Sequence, residues 1–287
     1  MKFGVYLPPF GKYADPHRLA DLAVEAEKAG WDGFFIWDHI LYNDKFLPGA
    51  DPWVALAVIA ARTDKLRIGP LVTPLARRRP WKLARETVTL DHLSNGRLTI
   101  GVGLGTTRKW DSGVFGDEMD LAERAKLLDE GLDILAGFWS GQPFQYHGSR
   151  YDVEEVQFLP TPLQQPRIPV WVGGKWPNKA PMRRATRWDG ACPEKVEGEL
   201  TPDDWRDIIQ FIKSQRDSTK TFDFVHLNKV SDVKLFTNTG RTKPYEDAGV
   251  TWWLEHFHPG HPDFPAWEQR NERDDFILRG IKEGPPR

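Results

Sequence analysis

One cysteine, Cys192, stands in 287 residues. A disulfide within the chain is therefore excluded, which fits a reducing cytoplasm. No run of eighteen apolar residues is present, so hydropathy offers no membrane-spanning helix. The N-terminus shows no signal-peptide pattern, because strand-like residues begin at Lys2. The expectation is a cytoplasmic protein with no membrane partner. Lys and Arg number 39 against 41 Asp and Glu, a net charge of −2 without a basic block or an acidic tail, so nucleic acid is not an expected partner. The nucleophile elbow G-x-S-x-G is missing, and Cys192 has no identifiable partner for thiol catalysis. Linkers rich in Ser or Gly are missing as well. What the chain does have in quantity is tryptophan, 13 residues. Some must be core, and the surplus suits a cavity that holds a flat ring system.

A chain of this length buries roughly 75% of its unfolded surface and needs no staples. Short β-branched runs alternate with helical patterns. Lys2–Leu7, Asp32–Trp37, Leu66–Val72, Arg97–Val102, Ile168–Val172, Gly190–Pro193, Phe222–Leu227 and Val250–Phe257 read as strands. Asp15-Pro16, Asp51-Pro52 and Thr201-Pro202 open helices with a capping oxygen followed by proline at the first helical position. Pro80 opens another, which Ser94-Asn95-Gly96 ends. Leu121–Trp139 is a longer helix, Pro181–Trp188 a short one, and Phe264–Glu283 would close the chain. Strands joined through a helix must be parallel. Pro143–Leu159 breaks the rhythm with alternating residues around His147-Gly148, the pattern of an antiparallel hairpin. The fold class is α/β: a (β/α)8 TIM barrel with a small hairpin insertion between strands 4 and 5, one domain over residues 1–287. An open doubly wound sheet is the alternative.

In a barrel the chemistry sits where the strands end. Asp38-His39 closes the second strand. A carboxylate beside an imidazole is a usable acid–base pair, or else a loop cap beside a polar residue. Gly101-Val102-Gly103-Leu104-Gly105 looks like a dinucleotide fingerprint, but no helix opens behind it. It reads better as a strand whose glycines let a flat ligand approach the backbone. Asp111, in the loop that follows, reads as a solvated carboxylate or cap that could also reach the cavity. Gly173-Gly174-Lys175 reads as a glycine turn ahead of the helix carrying Arg183 and Arg184, suited to phosphate. Arg77-Arg78-Arg79 reads as a solvated run without a site. His256, His258 and His261 find no second group of ligands at matching spacing, so no metal site is assigned.

These strand ends also match a family. GWDGFFIWDH (Gly30–His39), Leu66–Gly105 with TLDHLSNGRLTIGVG at its core, Gly113–Leu135, FLPTPLQQPRIPVWVGG (Phe158–Gly174) and RRATRWDG resemble the bacterial luciferase-like flavin- and deazaflavin-dependent oxidoreductases. The likeness covers most of residues 1–193. It implies an isoalloxazine-like ring at the C-terminal edge of the barrel. Asp-His at the second strand end is often found in users of the deazaflavin coenzyme F-420, whereas FMN-dependent oxygen users more often carry Glu-His. His39 matches the residue that acts as acid or base on the substrate. Asp111 stands where the family often has a Glu acting with it, and Asp38 orients His39 or contacts the cofactor. The resemblance also implies a non-prolyl cis peptide near Leu71-Val72 facing the ring and a phosphate loop at Gly173 and Gly174; the residues themselves add the approach of Gly103 and Gly105 to a flat ligand and the charge of Lys175 beside the loop. The implied protein is an oxidoreductase moving hydride or electrons between coenzyme F-420 or FMN and a small organic substrate. An FMN monooxygenase served by a separate flavin reductase and a non-catalytic flavin-binding protein are the alternatives. Helices with apolar outer faces suggest a homodimer.

Overall fold

The computed structural model describes residues 1–42, 47–217, 220–229, 239–256 and 272–286. Nine parallel strands form one sheet in the order β3-β2-β1-β11-β10-β9-β8-β5-β4. They are β1 (Lys2–Leu7), β2 (Gly33–Ile36), β3 (Arg67–Pro70), β4 (Thr73–Pro74), β5 (Ile100–Gly103), β8 (Val170–Trp176), β9 (Gly190–Lys195), β10 (Asp223–Lys229) and β11 (Trp252–His256). The helices between them are α1 (Pro16–Lys28), α2 (Pro52–Arg62), α3 (Pro80–Leu93), α4 (Leu121–Trp139), α5 (Lys179–Ala185), α6 (Pro202–Lys213), α7 (Lys243–Asp247) and α8 (Glu272–Glu283). β6 (Pro143–His147) and β7 (Asp152–Gln157) make the separate antiparallel hairpin, inserted between the fourth and fifth barrel strands.

β3 and β4 are one barrel strand interrupted at Leu71-Val72, whose peptide bond is cis, at the bond the family resemblance implies. The ends of the sheet meet there. Ile68 N–H donates to Arg97 O (3.0 Å), Thr99 N–H donates to Ile68 O (2.9 Å), and Thr73 pairs with Val102. The backbones come so close that a Cβ on Gly69 would run into the Thr99 carbonyl, so only glycine fits. The barrel rather than the open sheet is the architecture.

Strand residues alternate between two cores, as a period of two requires. Val5, Leu7, Phe34, Ile36, Val170, Val172 and Trp253 pack outward against the helices. Tyr6, Phe35, Trp37, Leu71, Trp171, Cys192, Val225, Trp252 and Leu254 point into the barrel. Phe35, Trp171 and Trp252 plug it, with ring centroids 5.2–6.0 Å apart. Trp31, Trp53, Trp139, Trp188, Trp205 and Trp253 are buried in packing. Most of the tryptophan surplus is therefore core, not cavity wall.

Local chemistry opens the helices as the residue types dictate. Asp15 accepts from His17 N–H, Asp51 from Trp53 and Val54 N–H, and Thr201 forms a capping box with Asp204. The SNGR segment is also structural. The Arg97 guanidinium donates to five oxygens on Ser94, Thr63, Leu66 and Ala60, tying the end of α2 to the barrel wall. The short helix begins at Lys179 instead of Pro181, and the first part of the expected closing helix lies outside the described residues.

Candidate active site

His39 follows β2 by three residues, at the C-terminal mouth of the barrel. Its Nδ1 lies 2.9 Å from Oδ2 of Asp111. The second oxygen, Oδ1, accepts from Ile40 N–H (3.1 Å), Leu41 N–H (3.2 Å) and Arg77 Nη1 (3.0 Å). Asp111 is fully buried, where sequence suggested a solvated loop carboxylate. Burial alone would raise its pKa. The hydrogen bond from His39, the Arg77 charge and the Leu41 amide outweigh that and hold it at about 2. An ionised carboxylate only accepts, so His39 carries its proton on Nδ1 and keeps Nε2 for other chemistry.

Asp38 takes a different set of partners. Both of its oxygens lie 2.8 Å from Arg78 Nη2, and Oδ2 also accepts from Thr73 Oγ1 (2.9 Å) and Trp53 Nε1 (3.3 Å). Of the two roles left open for Asp38, the orienting bond to His39 is made by Asp111. Arg77 and Arg78 correct the reading of a solvated run: their side chains are 5% and 20% exposed and each holds a buried carboxylate. Arg79 does point outward, over the ring of Trp81.

Around His39 the walls are aromatic. Trp37 and Trp110 stand 5.7 and 6.0 Å from its ring, and Tyr42 lies against both tryptophans. The Tyr6 ring lies 4.5 Å from that of His256, tilted by 32°, and Trp37 Nε1 donates to His256 Nε2 (3.2 Å). Tyr6 donates its hydroxyl to the Leu71 carbonyl. His258 and His261 lie outside the described residues. Among those described, no three His, Cys, Asp or Glu side chains gather as a metal would require.

The glycines divide. A Cβ on Gly103 or Gly173 would come 3.0 or 2.9 Å from the methyls of Val72, so these three residues meet on one surface beside Leu71. Gly174 instead faces Pro181 of α5. The sequence ended the fifth strand at the glycine pair, but β8 runs on to Trp176, paired in register with β9 as far as Lys195. The ladder replaces the expected turn, and Lys175 forms an ion pair with Glu194. Arg184 is bound to Asp129 of α4.

Gly105, with φ +72°, lies against Arg124, a residue that the sequence reading passed over. Arg124 is fully buried in α4. Its Nε donates to Leu104 O and its Nη1 to Glu118 O (both 2.7 Å), clasping the two ends of the loop that carries Asp111. Its Nη2 is buried without a hydrogen-bond partner among the described residues.

Residues 1–201 match the family model described as luciferase-like monooxygenase. The chain belongs to that family. This luciferase-like chain is 32% identical to an uncharacterized protein of Mycobacterium tuberculosis, over 80% of this chain and 81% of that one. It is 30% identical to an F420-dependent glucose-6-phosphate dehydrogenase of Nakamurella multipartita, over 84% and 74% of the two chains. Two solved structures share the fold. An F420-dependent secondary alcohol dehydrogenase bound to an F420–acetone adduct superposes with a TM-score of 0.76 at 16% identity, covering 98% of this chain and 96% of that one. The oxygenating constituent of 3,6-diketocamphane monooxygenase from Pseudomonas putida, a type II Baeyer-Villiger monooxygenase in complex with FMN, does so at 0.66 and 18% identity, covering 99% and 77%. In the described residues of this luciferase-like chain no helix is long and apolar enough to cross a membrane.

Proposed function

We propose that the chain is an oxidoreductase using the deazaflavin coenzyme F-420, with His39 as general acid/base on a small organic alcohol or carbonyl substrate. The carrying observation is the bond from His39 Nδ1 to buried Asp111, which fixes the tautomer and leaves Nε2 to take or give the proton. Asp111 stays ionised at neutral pH and so acts by orientation and charge, without exchanging a proton itself.

Two features fit a flavin-like group. Val72, Gly103 and Gly173 form a surface that side-chain atoms on the glycines would obstruct, suited to the close approach of a flat ring, with Leu71 beside it. Arg124 offers a buried N–H without a partner next to Gly105, suited to a phosphate oxygen. Lys175 would reach a phosphate only by leaving Glu194, and Asp38 only a ligand that approaches past Arg78. A deazaflavin supplies hydride exchange, and reduced FMN supplies electrons for oxygen. His39 takes the hydroxyl proton of an alcohol at Nε2, or returns it to a carbonyl. Trp37, Tyr42 and Trp110 limit water around that step. The F420-dependent relative and the alcohol dehydrogenase neighbour support the deazaflavin. The monooxygenase family and the FMN-bound neighbour favour a second reading, an FMN monooxygenase fed by a separate reductase.

Titrating the protein with each cofactor while following tryptophan quenching tests the reading. Tight binding of the deazaflavin alone supports it. Preference for FMN selects the second reading, and binding of neither removes both.

A further inference from the structure

We propose that Arg77 is a positioning residue that keeps the His39 ring neutral by cancelling the charge of Asp111 at the imidazole. The inference rests on the reading of His39 as the acid/base, and it deepens that reading.

A lone carboxylate bonded to an imidazole favours the protonated ring, because the imidazolium gains the full attraction of the neighbouring charge. A ring already protonated cannot take a proton from an alcohol. The geometry at His39 answers this. Arg77 lies between β4 and α3, with a side chain only 5% exposed. One arm of its fork, Nη1, binds the Asp111 oxygen that His39 does not use (3.0 Å), and the other, Nη2, binds the carbonyl of Asp38 (3.0 Å). The guanidinium thus bridges the peptide next to His39 and the carboxylate that orients it. It fixes their spacing and brings one positive charge to the negative one. Arg keeps its charge under all conditions of interest, so the cancellation does not titrate away.

The other charged groups nearby do not undo it. Asp38 and Arg78 neutralise each other in a two-oxygen contact. Arg124, from α4, lies close enough to Arg77 for their charges to repel, and it also faces the carboxylates of Asp117, Asp111 and Glu118. Arg108, on the exposed loop, acts on Tyr42. His256, on β11, lies across Trp37. No described carboxylate other than Asp111 is bonded to the His39 ring.

The test is an NMR titration of histidine-labelled protein without cofactor, in which the His39 signal is the one missing from His39→Gln. Arg77→Gln retains a donor and removes the charge, and it should move the midpoint of that signal upward by about one pH unit or more. Arg77→Lys should bring it back toward wild type. Asp111→Asn leaves Arg77 unopposed and should move the midpoint below the ordinary histidine value of about 6.5. An unmoved or lowered midpoint in folded Arg77→Gln overturns the proposal. If that variant does not fold, an Asp111→Asn midpoint at or above about 6.5 overturns it instead. Shifted midpoints in a protein that binds neither cofactor would support the role of Arg77 while removing the oxidoreductase reading. Cofactor binding with unmoved midpoints would do the reverse.

Discussion

Replacing Asp111 with Asn changes one oxygen to an amide and removes a charge that four donors share, His39 Nδ1, Ile40 N, Leu41 N and Arg77 Nη1. The folded carboxyl sits at about 2 against an ordinary value of 3.8. A carboxyl depressed by folding adds stability that is fully present above its unfolded pKa and is lost as pH falls through the folded one. The shift corresponds to about 2 kcal/mol at pH 7, of which about half is gone by pH 3. Leaving Arg77 buried without its carboxylate adds to the cost, so Asp111→Asn should destabilise the protein by about 2–4 kcal/mol at neutral pH. Urea unfolding followed by tryptophan fluorescence measures this for both proteins, from pH 7 down to the most acidic pH at which the wild type keeps a native baseline. The gap between the two should narrow with acid. A gap below about 1 kcal/mol at pH 7, or one that stays constant on acidification, would refute the argument that these donors hold the charge.

His39→Ala should cost about two to four orders of magnitude in turnover with cofactor affinity retained, measured by steady-state rates beside tryptophan quenching; unchanged turnover would remove His39 from the acid/base role. Arg124→Met keeps the bulk of the side chain but removes the unpartnered N–H together with the bonds to Leu104 and Glu118, so it should weaken cofactor binding about tenfold or more in the same titration. On the outer face of β10, His226 accepts from Trp205 Nε1 (3.0 Å) and is pushed down to about 3 by burial and then by Arg241. The unfolded chain therefore binds the extra proton, and stability should fall as pH drops from about 6.5 toward 3. His226→Gln should flatten that part of the stability profile in thermal melts, and an equally steep profile would assign the acid loss to other groups.

What could be read along the chain was what neighbours in sequence decide. Asp15-Pro16, Asp51-Pro52 and Thr201-Pro202 each open a helix through atoms within a few residues, and each helix begins there. The alternating strands and the hairpin at β6 and β7 follow in the same way from side-chain period. The glycine pair at Gly173-Gly174 misled because its local signal is a turn, while the outcome depends on β9. Parallel pairing with Cys192, Pro193 and Glu194 on that next strand carries β8 onward to Trp176. Arg124 gave no signal, because its partners at Leu104 and Glu118 are carbonyls that any residue carries.

The arginine run is the more instructive miss. Arg77 reaches Asp111 across 34 residues and Arg78 reaches Asp38 across 40, so no window around the run reveals a partner. The barrel topology nevertheless brings the partners together. Strand two, the joined β3 and β4, and β5 are neighbours in the sheet, and the segments that leave their C-terminal ends carry Asp38-His39, Arg77-Arg78 and Asp111 in that spatial order. A buried carboxylate needs a partner. Two acids flanking a strand end that carries two guanidiniums can satisfy each other with no further residue, and a solvated reading of the run would have left both acids alone. Topology thus turns a run of like charge, unfavourable as a local feature, into the central pair of a four-residue charge arrangement. His39 receives its orientation from one acid of that arrangement, and the second arginine holds the other acid clear of it.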